Sequence, residues 1–98
     1  MSEARAAYVG DRATLEEVVA AMDAWQKQTG DSTEYTVEAD SDGYPGMGFV
    51  IDVYAANDAE RLAARDRITA GIQPLLGKTP VATDSELDRQ VLAASDGR

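Results

Sequence analysis

Any chemistry in this chain has to be done by carboxylates. The sequence contains no histidine and no cysteine. Ser-His and Cys-His nucleophile pairs are therefore impossible, and so is a His- or Cys-ligated zinc site. Neither Gly-x-Ser-x-Gly nor Ser-x-x-Lys occurs. The glycines at 43, 46 and 48 fall in a hairpin and do not open a helix, so they make no phosphate cradle. Glu38, Asp40, Asp42 and Asp52 could converge near one hairpin end, the arrangement acid–base catalysis requires. An open, wet strand face offers no low-dielectric cleft to tune them, so an enzyme is not expected. Asp40-Ser41-Asp42-Gly43 resembles part of a calcium loop. Setting Gly43 at the loop's sixth position puts Phe49 where a bidentate Glu belongs. No metal or other cofactor is expected.

The acids are informative in another way. Between Lys27 and Arg61 there is no basic residue, yet there are eight acids: Asp31, Glu34, Glu38, Asp40, Asp42, Asp52, Asp58 and Glu60. The whole chain has a net charge of −9. A surface of one sign attracts basic partners and repels nucleic acid and anionic membranes. On an extended strand, alternate residues share a face and repeat about every 6.7 Å. Glu34, Glu38 and Asp40 thus form a row, with Asp52 on the matching face of the next strand and Asp42 extending the row into the loop. In sign and rough scale this row mimics a nucleic-acid backbone. The expected function is binding, and inhibiting or regulating, a partner protein with a basic, possibly nucleic-acid-binding, surface. Tyr44 at the loop tip and Tyr54 on the outer strand face are candidate anchors, since tyrosine is enriched at interface hot spots. The competing explanation is structural. One face of an exposed strand must be polar, and acids there discourage edge-to-edge aggregation. Tyr44 could equally cover its own loop, and Tyr54 could pack under the C-terminal tail.

These residues must be held by local elements. Thr14 and Glu17 have capping-box spacing. Leu15, Val18, Val19, Met22 and Trp25 follow at helical intervals, and Gly30 is a stop, giving a helix over 14–29. Residues 33–40 alternate, with Thr33, Tyr35, Val37 and Ala39 against Glu34, Thr36, Glu38 and Asp40, the pattern of a half-buried strand. Asp-Gly and Pro-Gly in 41–46 mark a loop. Residues 47–55 alternate again, with Met47, Phe49, Ile51, Val53 and Ala55 on the inner face. A second helix spans 58–72, capped by Asn57 and Glu60, with Ala64, Ile68, Ile72 and Leu75 as its stripe. Arg61 and Arg65 should snorkel, and Pro74 should end the helix near Gln73. Arg61, Arg65 and Arg67 are interrupted by acids and read as helix-surface ion pairs. A linker at 78–83 precedes a short helix at 84–94, capped by Asp84 or Ser85, with Leu87, Val91 and Leu92 on one face.

The fold class is therefore α+β: an α–β–β–α two-layer arrangement, two helices on one face of a short antiparallel sheet, with a short C-terminal helix. Residues 1–77 make a single domain, and 78–98 a linker with a short helix or flexible tail. Seventeen residues are alanine, so the core is thin, and a small domain of this kind often gains from a staple or a second subunit. A two-stranded sheet is barely stable alone. Either 4–9 or 80–82 adds a strand, or two hairpins pair as a homodimer. The alternative function follows from the second case: a structural or assembly module, a homodimer or complex subunit. No apolar run approaches the roughly 20 residues of a membrane helix, and the N-terminus lacks signal-peptide character. A cytoplasmic location is the expectation.

Overall fold

The N-terminal segment, ambiguous in sequence, is a central strand. In the computed structural model, which describes residues 5–39 and 43–96 with side chains as far as residue 90, β1 (Arg5–Gly10) sits in the middle of a four-stranded sheet. Helix α1 (Leu15–Thr29) follows, then β2 (Glu34–Glu38), β3 (Met47–Tyr54) and α2 (Asp58–Ile72). A 3-10 turn over Gln73–Leu76, β4 (Val81–Thr83) and α3 (Asp84–Asp96) complete the order. The sheet runs β2-β3-β1-β4, and every neighbouring pair is antiparallel. Up to β4, this element order and strand order are those of the split-βαβ, ferredoxin-like arrangement. Both segments that could have extended the hairpin do so. The stretch read as a linker contributes β4.

Local chemistry explains the boundaries. The Thr14 hydroxyl accepts from Glu17 N–H at 3.1 Å, and the Glu17 carboxylate accepts from Thr14 N–H at 2.8 Å. Gly30 closes α1 in the left-handed region at φ 72°. Asn57 Oδ1 accepts from Glu60 N–H at 2.8 Å and starts α2. At α3 the cap is Thr83, not Asp84 or Ser85. Its hydroxyl accepts from Glu86 N–H at 3.1 Å, and Glu86 accepts in return from Thr83 N–H. The strand ends and the helix begins on one residue, which is why the sequence cue was misplaced by one or two positions.

Two apolar clusters flank the sheet. Helices α1 and α2 cover one face, where Val18, Met22, Trp25, Ile68 and Ile72 meet Val9, Ile51 and Val53. On the opposite face Leu87 of α3 packs with Ala6, Tyr8, Val50 and Ala82. Val91 and Leu92 lie outside the described side chains. The inner stripe of β3 differs from the alternation at one point. Met47 lies with Tyr8 and Tyr44 on the α3 side. The register steps from Val9↔Phe49 to Gly10↔Met47, a bulge that skips Gly48 and flips the face. A side chain at Gly48 would meet the Asp11 Cα at 2.8 Å, so only glycine fits the bulge.

Both helices bury a narrower arc than their apolar residues suggest. In α1 the core takes Val18, Ala21, Met22 and Trp25, while Leu15 and Val19 are each 44% exposed. In α2 it takes Ala64, Arg65, Ile68 and Ile72, while Leu75 lies outside. Arg65 does not snorkel. It is buried, and its guanidinium donates to Asp84 at 2.7 Å, Ser85 at 2.9 Å and Asp66 at 2.9 Å, tying α2 to the start of α3. Burial alone would lower its pKa. The hydrogen bonds and charges of Asp66 and Asp84 outweigh that and hold the guanidinium charged.

Candidate functional site

Strand pairing sets which acids share a face. Opposite one another on the sheet surface away from α1 and α2 lie Glu34 and Tyr54, Thr36 and Asp52, and Glu38 and Val50. The rows continue onto β1 as Asp52–Ala6 and Val50–Tyr8. Helix α3 covers the β1–β4 half of that surface, burying Val50 and Tyr8. The β2 half stays open, with Glu34, Thr36, Glu38 and Tyr54 all exposed.

The sequence-predicted residues divide accordingly. Glu34, Glu38, Asp52 and Tyr54 share the face. Among the described residues, neither Glu34 nor Glu38 has an ion-pair partner, so these two carry its free charge. Asp52 is half-buried and engaged within the chain. Tyr54 is 51% exposed, and its hydroxyl lies 3.4 Å from the Thr36 hydroxyl. Tyr44 is committed elsewhere. Its ring stands edge-on against Tyr8, with centroids 4.9 Å apart, and its hydroxyl donates to Asp88. Tyr44 thus packs against β1 and α3 instead of projecting as an anchor. Asp40 and Asp42 lie outside the described residues.

Two acids of the cluster are structural. Asp31 closes the turn before β2. Its carboxylate accepts from the Thr33 N–H at 2.9 Å, from the Thr33 hydroxyl, and from Arg67 Nε at 3.0 Å. Burial works against ionisation, but these donors prevail and hold the Asp31 carboxyl below its usual range. Asp58 accepts both arms of Arg5 at 3.0 Å, and Arg5 donation keeps its carboxyl low as well. Arg61 adds a contact to Asp58 at 3.8 Å. The arginines read as ion-paired are so, and they fold onto Asp31, Asp58, Asp66 and Asp84 and, among the described residues, not onto Glu34 or Glu38.

Two recesses adjoin β2. One, of about 490 Å3, lies at the strand's start between Asp31, Glu34, Tyr54, Glu60 and Arg67. It is open and polar, not the dry cleft that carboxylate catalysis needs. The other, of about 470 Å3, is apolar and lies between Leu15, Val19 and Ala20 of α1 and Tyr35 of β2, rimmed by Glu16 and Asp23. Sequence reasoning missed it by assigning Leu15 and Val19 to the core. The available signal was five apolar residues on one helix, a wider arc than one sheet face can cover. Among the described residues, no group of three or more acids is arranged to hold a metal ion, and no helix is long and apolar enough to cross a membrane. No family model, curated protein or solved structure matches this chain.

Proposed function

We propose that this protein is a non-enzymatic binding module that recognises a basic protein surface through the open β2–β3 face, and so inhibits or regulates its partner. The observation that carries this reading is the pair Glu34 and Glu38. Both are exposed on the same side of an edge strand, and among the described residues neither is neutralised, although four arginines, Arg5, Arg61, Arg65 and Arg67, are paired with other acids. Leaving two like charges unpaired on one face has an electrostatic cost that a cationic partner would relieve. Tyr54 supplies the apolar area beside them. The ferredoxin-like arrangement itself argues for no activity.

The assembly alternative draws support from the free edge of β2. Self-pairing there is opposed by charge. An antiparallel two-fold contact centred on Thr36 would set Glu34 of one copy against Glu38 of the other, and like charges directly opposite are destabilising.

Capture from a host lysate tests the proposal, with wild-type protein and the Glu34→Lys/Glu38→Lys variant compared at low and high salt. A basic protein retained by wild type at low salt, and lost both at high salt and from the variant, is the expected result. Identical captured sets would overturn it.

A further inference from the structure

Strand β2 is an edge. It pairs with β3 only, so alternate backbone N–H and C=O groups along Glu34–Glu38 point away from the sheet. Among the described residues nothing hydrogen-bonds along that outer edge. Its inward side chains also stop short of full burial. Tyr35 and Val37 are half-buried, whereas Ile51 and Val53 opposite them on β3 are 0% and 2% exposed. Beyond Tyr35 the apolar recess of Leu15, Val19 and Ala20 lies open, rimmed by Glu16 and Asp23.

Resting on the reading above, we infer that the occupant of this edge is an extended segment of a partner protein that adds to β2 as a fifth strand, its residues alternating basic and apolar. The period of two fixes the chemistry. Residues on the open face would lie beside Glu34 and Glu38 and are complemented by Lys or Arg. Residues on the helix face would lie beside Tyr35 and Val37, and are complemented by aliphatic side chains entering the recess under Leu15 and Val19. The acids on both sides of the edge select against an acidic segment and against a second copy of this chain.

The test uses a short synthetic peptide alternating Lys and Val, and the same peptide N-methylated at alternate residues so that it cannot pair with a strand. Binding is read by titration and by amide hydrogen exchange of the full chain. The unmodified peptide should bind with protection of β2 amides. N-methylation should weaken binding about tenfold or more, as should Val19→Lys, and Glu34→Lys/Glu38→Lys should do the same. If the methylated peptide binds equally well and the charge reversal still abolishes binding, strand addition is overturned while the acidic-face reading stands. If the unmodified peptide does not bind, strand addition is overturned, and if charge reversal leaves its binding unchanged, both readings fall. A stable dimer by light scattering, with β2 amides protected in the absence of peptide, also overturns the inference.

Discussion

At the scale of single residues, three positions hold the frame on which the acidic face rests. Removing Arg65 leaves Asp84 without its counter-charge in a mostly buried site. Arg65→Ala should destabilise the fold by about 3 kcal/mol in urea denaturation, and adding Asp84→Ala should recover part of that loss. Gly71 packs against the indole of Trp25, which occupies the space an added methyl would need. Although alanine is the better helix former by about 1 kcal/mol, Gly71→Ala should cost about 1–3 kcal/mol through overpacking. It should also shift the fluorescence of Trp25, the single tryptophan. Asp31 carries a pH signature. Its folded pKa is lowered, so its contribution is complete above the unfolded value of about 3.9 and is lost as pH falls through the lower folded value. Stability followed by urea titration should fall in that acidic window, and the fall should be shallower in Asp31→Asn. These roles were invisible in sequence because each depends on a partner nineteen or more residues away. Arg67 for Asp31 and Trp25 for Gly71 are not implied by spacing.

At the scale of elements, local signals did most of the work where a cap and a period agreed. Helix α1 begins after Thr14 and ends at Gly30, and α2 runs Asp58–Ile72, as the sequence pattern indicates. The strands β2 and β3 fall within the alternating segments. The weak points were short segments whose state is decided by neighbours. Arg5–Gly10 is rich in small residues and has no strong alternation, yet pairing with β3 and β4 on both sides makes it central. Val81–Thr83 is three residues long and becomes a strand because β1 offers an edge. The face assignment of Met47 failed at the Gly48 bulge, which alternation cannot register. Helix α3 is the element that closes the second sheet face, through Leu87 on Tyr8 and Val50. Leu87→Ala should cost about 3 kcal/mol and raise hydrogen exchange at Tyr8 and Val50 before it does so at Ile51 or Val53.

For the molecule as a whole, the asymmetry of the sheet is the main result. Its β1–β4 half is covered on both faces, whereas its β2 half is covered on one face and bounded by an open edge. The acidic row was legible in the sequence for Glu34, Glu38 and Asp52, because a period of two fixes a face once the strands are known. How much of that face stays open depends on how far α3 reaches, which no local pattern encodes. Among the described residues the free charge of the face is consequently on Glu34 and Glu38, two positions where substitution should weaken binding and where stability should change little, by about 0.5 kcal/mol or less. The most direct measurement is the affinity of the captured basic partner for wild type and for Glu34→Lys/Glu38→Lys across a salt series. The account predicts weaker binding and a shallower salt dependence in the variant, with unchanged thermal unfolding. Equal affinity and equal salt dependence for the two proteins would contradict it.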